Sequence, residues 1–383
     1  MRIGIDASFL RKPGTGIGQV TLNFLQTLKS FPSDGTEYVI YTENGYDRSS
    51  YPEHFQFRNF LPALWRRDDL IRKMLWERRV MKEAAKDGCD AFLSLYQSSS
   101  RAPKGMRHVM VVHDIIPALF PEYQGNMRQK CSWKMIERGI RTAARIVAVS
   151  DSTRHDLIVS GIDPEKIVVA SPSCSTLFDA EPDAMENSRV LKKYGLVPGY
   201  FYHGGGLEVR KNTGRLLSAY AGLLEKEKSG TLSAKLPPLV ISGKIFSESN
   251  PLATPVKKLV RELQLEEKVA LLDFVPEQDL PALYKNALCF VYPSLYEGFG
   301  VPVLEALRMG VPVLTSDNSS LPEVAGDAAL YVDAGHAESI ASGMERMLTD
   351  EELRKDLVAK GERQAEKFSW KSFVTTIIET LKI

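Results

Sequence analysis

Short apolar runs rich in valine, isoleucine and aromatic residues recur along the whole chain and alternate with longer amphipathic stretches. Runs of this kind predict buried strands of a parallel sheet, and amphipathic stretches predict the helices that cover it. The predicted strands are 2–6, 38–41, 90–94, 109–113, 146–150, 200–203, 239–243, 269–273, 287–292, 311–315 and 330–333. The predicted helices include 20–28, 255–263, 279–285, 302–309, 338–348, 351–368 and 371–381. The alternation of strands and helices predicts an α/β protein.

Turn-forming residues interrupt this alternation near the middle of the chain, in Ser171-Pro-Ser173 and in Asp179-Ala-Glu-Pro-Asp183. Such clusters are typical of interdomain linkers. We therefore predict two doubly wound, Rossmann-like domains at 1–175 and 199–370, joined by a linker at 176–198.

Residues 287–315 form the most informative stretch, with the pattern strand, glycine loop, short helix, strand. Glycines such as Gly298 and Gly300 allow a backbone to approach a ligand, and the N–H groups at a helix start favour phosphate. Glu297 and Glu305 flank this loop. A carboxylate facing phosphate would be repelled, so these two side chains are expected to accept hydrogen bonds from hydroxyls. Phosphate together with hydroxyls indicates a sugar nucleotide, and the alternative is an ordinary loop with two surface glutamates.

A second glycine loop follows the strand at 200–203 and carries Arg210 and Lys211 directly after it. Arginine binds a diphosphate as a planar fork and lysine as a point charge. The loop is not a P-loop, because no Gly-Lys-Ser/Thr sequence closes it. The alternative is a solvated basic turn.

The first half contains another glycine loop and a candidate histidine. The spacing Gly14-x-Gly16-x-Gly18 differs from the dinucleotide fingerprint, and no acidic residue follows at a second strand end about 20 positions on, which argues against a dehydrogenase. His113-Asp114 ends a predicted strand, at the edge where ligands of open α/β sheets bind. Alone, such a histidine is more often structural.

The segment Glu297-Gly-Phe-Gly-Val-Pro-Val-Leu-Glu305-Ala, with seven residues between two glutamates, closely resembles the signature of retaining glycosyltransferase family 4. The resemblance continues through residues 316–325, the His-Asp segment at 113 and the Arg-Lys-Asn segment at 210, and so covers nearly the whole chain. It implies the GT-B fold, in which two Rossmann-like domains face a cleft. It also implies that the final helix, 371–383, returns to the first domain.

The resemblance implies that the second domain binds the donor. A leaving nucleoside diphosphate needs fixed cations and N–H donors around its developing charge. The positions assigned to this anionic end are Arg210, Lys211, Gly205, Gly16, Phe299, Gly300 and Val301. Many relatives carry an arginine where this chain has Gly205, so the cationic contacts rest on Arg210 and Lys211.

Other positions are assigned to the hydroxyls and the base. Glu305 would hold the ribose hydroxyls, and Glu297 the sugar hydroxyls near the anomeric carbon. His113 would bind the sugar or orient the acceptor, and Val275 lies in the segment that meets the base. The catalytic candidates are thus His113, Glu297, Lys211 and Arg210. Neither a metal nor a cofactor is expected, because the two cations supply the electrostatic stabilisation.

The His-Asp-Ile-Ile-Pro segment with Arg-Lys-Asn resembles bacterial mannosyl- and rhamnosyltransferases of O-antigen or exopolysaccharide assembly. The expected reaction moves a hexose, with retention, from GDP-mannose first or a UDP-hexose second to a glycan or polyprenyl-linked acceptor. Two alternatives stay open. One is a different GT-B enzyme, an epimerase or a phosphorylase, and the other is a non-catalytic sugar-nucleotide-binding protein.

Composition adds bounds on location. The 383 residues are 44% hydrophobic and 25% charged, as in ordinary soluble globular proteins. No run of about 18 apolar residues occurs, and residues 1–6 predict a strand and not a signal peptide. The cysteines Cys89, Cys131, Cys174 and Cys289 lack metal-ligand spacing and are expected to be reduced. We therefore expect a cytoplasmic protein, with a peripheral position at the inner face of the plasma membrane as the alternative.

Charge is unevenly distributed. Residues 1–150 hold 23 lysines and arginines against 15 aspartates and glutamates, a net +8, whereas residues 151–383 hold 26 against 33, a net −7. An anionic partner such as a membrane surface would explain a basic half, and no nucleic-acid motif accompanies it. The basic segment 60–86 would either lie on anionic lipid or expose a basic face while packing on the core.

Overall fold

The computed structural model describes residues 1–43, 49–61, 69–247 and 250–383 of the chain, without the side chains of 69–71. These residues form two compact units. The first comprises Met1–Pro172 together with Ser369–Ile383, and the second comprises Ser173–Phe368.

A parallel sheet forms the centre of the first unit. Its described strands are β1 (Arg2–Asp6), β2 (Glu37–Tyr41), β3 (Phe55–Arg58), β4 (Ala91–Ser94), β5 (Arg107–Val112), β6 (Arg145–Ala148) and β7 (Ile167–Val169). They lie in the order β3-β2-β1-β4-β5-β6-β7, and Ile5 of β1 stands beside Ile40 and Leu93. The order reverses at β1 and β4, which makes the sheet doubly wound.

A second parallel sheet forms the centre of the second unit. Its described strands are β8 (Tyr200–His203), β9 (Leu239–Ile241), β10 (Val269–Leu271), β11 (Ala287–Tyr292), β12 (Val313–Ser316) and β13 (Ala329–Val332). Their order is β10-β9-β8-β11-β12-β13, so the order reverses between β8 and β11. Phe201, Phe290 and Val291 in these two strands are fully buried, as expected for a parallel sheet covered on both faces.

Helices cover both sheets. In the first unit they are α1 (Gly16–Leu28), α2 (Asp69–Lys86), α3 (Ile116–Leu119), α4 (Met127–Thr142) and α5 (Asp151–Val159). In the second they are α6 (Ala184–Tyr194), α7 (Thr213–Lys228), α8 (Val256–Glu262), α9 (Leu280–Lys285), α10 (Val301–Arg308), α11 (Leu321–Ala325), α12 (Ala337–Thr349) and α13 (Glu351–Ala365). The final helix, α14 (Trp370–Lys382), belongs to the first unit.

Helix α14 returns to the first unit because its apolar face packs on α1. Ser369 caps the helix by accepting a hydrogen bond from the Ser372 amide at 3.1 Å. Phe373 and Ile377 are buried, and the Phe373 ring meets Phe24 of α1 edge-on at a centroid distance of 6.4 Å. The expected return of this helix is therefore present.

The segment predicted as a linker, 176–198, contains α6 and groups with the second unit. Its turn-forming residues are helix signals. Asp183 caps α6 by accepting from the Glu186 amide at 2.8 Å, and Gly195 ends the helix with φ of 64°. Buried Asp279 accepts hydrogen bonds from α6 side chains, which attaches the helix to α9.

The elements of the first unit that the prediction lacks include β3, β7, α3 and α4. The strands lie at the two edges of the sheet and are short, and β3 reads Phe55-Gln-Phe-Arg58, so neither shows a long apolar run. Ser150, at the end of the predicted strand 146–150, caps α5 by accepting a hydrogen bond from the Thr153 amide at 3.0 Å.

The basic segment 60–86 corresponds in part to α2, and residues 62–68 lie outside the described part of the chain. Trp76, Val80 and Met81 are buried in the core of the first unit. Arg72 is also buried, in an ion pair with Glu43 at 2.6 Å. Part of the apolar face of α2 therefore packs on the core, whereas Met74 on the same helix is 37% exposed, and contact of the segment with lipid stays a prediction.

None of the described helices combines the length and the apolar content that crossing a bilayer requires. All four cysteines are free thiols, three of them buried, and Cys131 is exposed on α4.

Candidate functional site

The candidate site of the second unit lies where the strand order of its sheet reverses. Residues 204–208 follow β8, residues 293–300 follow β11, and these strands are neighbours. Gly205 joins the two loops closely, because a Cβ atom there would lie 2.7 Å from Cγ of Pro302 at the start of α10. Gly205 also has φ of 89°, so both its backbone and its packing require glycine. In open α/β sheets, ligands bind at such a switch point.

A cluster of buried charges connects these loops. Glu297 Oε1 accepts from Lys211 Nζ at 2.7 Å, and Glu297 Oε2 accepts from Arg210 Nη1 at 2.8 Å. Lys211 is only 4% exposed and Glu297 only 6%. One carboxylate therefore holds both cations against the glycine loops, and the cluster carries a net charge of +1.

Polar neighbours from β11 and its loop fix the carboxylate of Glu297. Tyr292 and Ser294 donate to Oε1 at 2.9 and 2.7 Å. The Lys211 ammonium contacts the Tyr292 hydroxyl and lies 4.9 Å from the centre of its ring. Ser319 accepts from the backbone amide of Glu297 at 3.0 Å. These contacts leave Glu297 little freedom to rotate away from the cations.

The ion pairs set the protonation state of the cluster. Burial would raise the pKa of Glu297, but attraction to Lys211 and Arg210 and the hydrogen bonds from Lys211 and Ser294 lower that pKa from 4.5 to about 2. Burial lowers the pKa of Lys211, and the attraction of Glu297 opposes this effect. Glu297 is therefore ionised at neutral pH and favours the charged forms of both cations.

Glu305, the fifth residue of α10, lies beside the same cluster. The Tyr284 hydroxyl donates to its Oε2 at 2.8 Å. Burial raises the pKa of Glu305, and the negative charge of Glu277 adds to the effect, whereas Tyr284 and Lys211 oppose it, so the pKa reaches about 8. This half-buried carboxyl is therefore largely protonated at neutral pH, whereas Glu297 is ionised.

The start of α10 provides backbone N–H groups for an anion. Pro302 has no N–H group, and the Val303 amide donates to the Gly300 carbonyl oxygen at 3.0 Å, so the amides of Gly300 and Val301 are the ones that face an anion at this helix start. Gly300 precedes the helix with φ of 107°, and a Cβ there would lie 2.9 Å from Leu321. Phe299 is buried against Phe368, with ring centroids 5.5 Å apart, which fixes the entry to the helix. Val301 is the first helical residue.

Glu208 adds a carboxylate to the glycine loop after β8. Its Oε2 atom is buried and accepts no hydrogen bond from the described residues. A Cβ on Gly206, where φ is 108°, would lie 2.6 Å from this oxygen. A buried acceptor without a donor is unfavourable, so a ligand hydroxyl here would stabilise it.

Buried His203 at the end of β8 supports both loops. Its Nδ1 lies 2.8 Å from the carbonyl oxygen of Val291 in β11, and its Nε2 lies 2.9 Å from Thr213 Oγ1 at the start of α7. Burial lowers the pKa of His203 to about 4, so the ring is neutral. The neutral ring donates from Nδ1 to the carbonyl and accepts from Thr213.

The segment assigned to the base follows β10. Val275 is buried, whereas the adjacent Phe274 is 64% exposed. Asp273 has φ of 55°, and its carboxylate accepts from the Ile245 amide at 2.8 Å. The side chain of Val275 therefore packs on the protein, which leaves only its backbone for a ligand.

His113 lies in the first unit, directly after β5. Its Nε2 lies 2.9 Å from the Leu95 carbonyl oxygen, so Nε2 carries a hydrogen. Burial lowers the pKa of His113, so the ring is neutral and its Nδ1 is a hydrogen-bond acceptor. No described residue donates to that nitrogen, so it is available to a hydroxyl.

Gly16 begins α1 in the first unit and is exposed, with open space around its Cα. The structural constraint in this loop falls on Gly18, where a Cβ would lie 2.0 Å from the Lys12 carbonyl oxygen. Thr15 caps α1 by accepting from the Gly18 amide at 3.1 Å. The geometry of the loop therefore depends on Gly18, and a ligand role for Gly16 stays a prediction.

The structure thus brings together Arg210, Lys211, Glu297 and Glu305, which lie far apart in the sequence. Sequence reasoning missed their supporting residues, namely His203, Glu208, Tyr284, Tyr292, Ser294 and Ser319. The signal for Tyr292 and Ser294 is their position, because both follow a buried strand directly at the ligand-binding edge of the sheet.

Two family models match the chain. The family described as Glycosyltransferase Family 4 matches residues 14–175, and the family described as Glycosyl transferases group 1 matches residues 198–364. Together they span most of both units.

Among curated relatives, the O-antigen chain mannosyltransferase B of Escherichia coli is 33% identical over 401 aligned residues that cover all of both chains. The serotype-specific mannosyltransferase WbdA of Escherichia coli is 34% identical over 71% of this chain, which spans 33% of that longer protein.

Solved structures support the fold. WaaG, a glycosyltransferase involved in lipopolysaccharide biosynthesis, is 16% identical and superposes with a TM-score of 0.73 over 100% of this chain and 99% of its own. Anabaena Alr3699/HepE in complex with UDP-glucose is 15% identical and also gives a TM-score of 0.73, over 100% and 99%. With the two parallel sheets, these likenesses confirm the predicted GT-B fold class.

Proposed function

Because the chain belongs to the family 4 glycosyltransferases, we propose that it transfers mannose from GDP-mannose to a growing glycan of O-antigen type. The anomeric configuration is retained, and the acceptor is a glycan carried on a lipid such as a polyprenyl chain. The protein acts in the cytoplasm, at the inner face of the plasma membrane. The observation that carries the proposal is the buried Lys211–Glu297–Arg210 cluster at the switch point of the second sheet.

The choice of mannose follows from the relatives. The full-length relative that is 33% identical is named an O-antigen chain mannosyltransferase, and a second relative is named a mannosyltransferase as well. GDP-mannose is therefore the first candidate for the donor, and a UDP-hexose is the second.

The leaving group is the nucleoside diphosphate. When the bond between C1 of the hexose and the phosphate oxygen breaks, negative charge develops on the β-phosphate. Lys211 and Arg210, held in place by Glu297, and the N–H groups at the start of α10 stabilise that charge. A new bond forms between C1 and the acceptor oxygen, and the hydroxyl proton passes to the leaving phosphate.

Three acceptor groups suit the hydroxyls of the substrates. Glu305 accepts from the ribose, and binding there favours its ionised form over the protonated form of the free protein. Glu208 accepts from the donor through its unsatisfied Oε2. The Nδ1 atom of His113 accepts from a sugar or acceptor hydroxyl.

A thermal-shift screen with GDP-mannose, UDP-glucose, ADP-glucose and a dTDP-hexose tests the donor. A ligand at about 100 times its Kd stabilises the folded state by about 2.7 kcal/mol, so we expect GDP-mannose to raise the Tm by about 5 °C or more. If a UDP-hexose gives the largest increase in Tm, the donor is that UDP-hexose and not GDP-mannose. If no nucleotide sugar raises the Tm, the proposal is contradicted.

Transfer itself is tested with the nucleotide sugar that binds and a synthetic polyprenyl-linked mannosyl acceptor. We expect a product one mannose longer, and the one-bond NMR coupling between C1 and H1 of the new mannose should show the same anomeric configuration as the donor. Inversion would refute retention, and hydrolysis of the donor without transfer would refute this acceptor class.

A further inference from the structure

Helix α4 of the first unit presents a basic face to solvent. Met127, Lys130, Lys134 and Arg138 are all exposed and are spaced by three or four residues, so they follow one side of the helix. From Met127 to Arg138 this row extends about 16 Å along the helix axis. We call these four residues, with Leu119, the basic stripe.

The opposite side of α4 is anchored. Trp133 and Ile140 are buried in a core cluster with Met110 of β5, and Ile136 packs against it. The start of the helix carries a capping box, in which Asn126 accepts from the Gln129 amide at 2.9 Å and Gln129 accepts from the Asn126 amide at 3.2 Å. The four α4 residues of the basic stripe therefore lie on the outward face of a firmly placed helix.

The cations of the basic stripe have no counter-ions in the described part of the chain. The side chains of Lys130, Lys134 and Arg138 form no ion pair and no hydrogen bond there, whereas nearby Arg141 pairs with Glu137 at 2.9 Å. Residues 101–150 hold nine lysines and arginines against three aspartates and glutamates, a net +6. This region therefore supplies most of the positive excess of the first 150 residues.

Two large apolar side chains accompany these cations. Met127 is 74% exposed, and Leu119, at the end of α3, is 42% exposed. The turn Pro121–Gln124 contacts both α3 and α4, so Leu119 at the end of α3 and Met127 at the start of α4 flank one short turn. Isolated exposed apolar residues are ordinary, but here they occur with three unpaired cations.

We propose that the basic stripe docks the first unit onto the surface of an anionic lipid bilayer. Lys130, Lys134 and Arg138 bind phosphate headgroups, while Met127 and Leu119 enter the boundary between headgroups and acyl chains. Nucleic acid would use the cations but would leave both apolar side chains unburied. The proposal deepens the proposed function, because a lipid-linked acceptor is presented at such a surface.

Helix α2 supplies a matched comparison in the same unit. Its exposed Arg78, Arg79 and Lys82 equal the basic stripe in number of cations. Trp76, Val80 and Met81 of α2 are buried in the core, and Met74 is 37% exposed, half the exposure of Met127. The net charge of the protein changes equally when either set is reversed. Loss of binding in one set alone therefore identifies the surface and not the overall charge.

Vesicle flotation with the full chain tests the proposal. The wild type should bind vesicles of phosphatidylglycerol and phosphatidylcholine, bind phosphatidylcholine vesicles weakly, and dissociate as ionic strength rises. The triple variant K130E/K134E/R138E should bind the anionic vesicles at least about tenfold more weakly, because each cation near such a surface contributes roughly fivefold. The control R78E/R79E/K82E should retain most of the binding.

A second variant, L119S/M127S, tests the apolar part. It should weaken binding while leaving the salt dependence unchanged, since it removes no charge. Equal binding by wild type and K130E/K134E/R138E, or an equal loss in the α2 control, would overturn the proposal. Binding of a single-stranded oligonucleotide in preference to the anionic vesicles would also overturn it, in favour of a polyanion site.

The outcome can be separated from that of the proposed function. All substituted side chains are exposed, so circular dichroism and the Tm should match the wild type, and nucleotide-sugar thermal shifts should persist in every variant. Vesicle binding without any increase in Tm on adding nucleotide sugars would refute the proposed function alone. A normal increase in Tm without vesicle binding would refute the proposed membrane surface alone.

Discussion

At the scale of single residues, the site depends on one carboxylate that serves two cations. Burying a charge is unfavourable unless a partner compensates it, and Glu297 compensates both Lys211 and Arg210. The cluster still keeps one excess positive charge, which suits a diphosphate. The same arrangement that prepares the site for an anion also stabilises the fold, so the two roles cannot be separated by one substitution.

We predict that Lys211→Met lowers transfer by about 100-fold or more, because the proposed function places its charge next to the leaving phosphate. It should also lower stability by a few kcal/mol, on the order of 3, since a buried ion pair loses one partner. The sequence alone predicts lost activity in a stable protein for Lys211→Ala and Glu297→Ala. The structure adds the loss of stability.

The measurements are steady-state kinetics and urea unfolding, with Lys226→Met as the control. Lys226 pairs with Glu345 at 2.8 Å on the surface of the same unit, and such a pair contributes about 1 kcal/mol or less. Full activity of purified Lys211→Met would refute its role at the phosphate.

The raised pKa of Glu305 predicts a pH-dependent stability. The folded state holds the Glu305 proton up to about pH 8, whereas the unfolded chain releases it near 4.5. The folded state thus binds more protons between these values, so this contribution is present below 4.5 and is lost as pH rises toward 8.

The Tm of Glu305→Gln minus the Tm of the wild type should therefore increase by about 5 °C or more from pH 5 to pH 8. Glu338→Gln, the same substitution at an exposed position, is the control for the chemical change itself. A constant difference between Glu305→Gln and wild type across this range would contradict the raised pKa.

At the scale of elements, helix α6 shows how one buried carboxylate attaches a polar segment to the rest of its unit. Asp279, at the start of α9, is fully buried and accepts from Arg189, Lys193 and Tyr194 of α6. Its burial would raise its pKa, but these hydrogen bonds lower the pKa. Three donors on one carboxylate hold α6 against α9.

We predict that Asp279→Asn lowers the Tm of the protein by several degrees, on the order of 5 °C, because neutralisation weakens all three charge-assisted hydrogen bonds. Glu186→Gln is the control, since Glu186 pairs with the same Arg189 only at the surface. Differential scanning fluorimetry distinguishes the two, and equal small effects would show that the attachment of α6 does not depend on Asp279.

At the scale of the whole molecule, the last helix and the first half of the chain form one folding unit. The chain crosses from the second unit back to the first at residue 369. The apolar face of α14 then completes the cover over α1, with Phe373 buried at 1% exposure.

We predict that Phe373→Ala destabilises the first unit by about 3–5 kcal/mol, as for other large-to-small changes in a core. Hydrogen exchange followed by mass spectrometry should show faster exchange in α1, α14 and β1, with β8 and β11 unchanged. Glu379→Ala, on the exposed face of the same helix, should match the wild type. An equal increase of the exchange rate in both units would contradict the conclusion that α14 stabilises the first unit in particular.

The sequence by itself determined the central strands, the glycine loops and the pairs Arg210–Lys211 and Glu297–Glu305. A continuous apolar run predicts a buried parallel strand from the local sequence alone. The N–H groups at a helix start after a glycine loop favour an anion in the same local way. The edge strands β3 and β7 were not predicted, because a short edge strand needs no continuous apolar run.

Only the tertiary structure decided which groups compensate one another. Glu297 meets Lys211 across 86 positions of sequence, and Asp279 meets α6 across 85 to 90. The same holds for α2 and α4, which are both basic and amphipathic in sequence. The core covers Trp76, Val80 and Met81 of α2, whereas α4 begins with Met127, which is 74% exposed, beside cations that form no ion pair within the described residues. Burial and pairing depend on neighbours distant in the chain, so local sequence patterns cannot fix them.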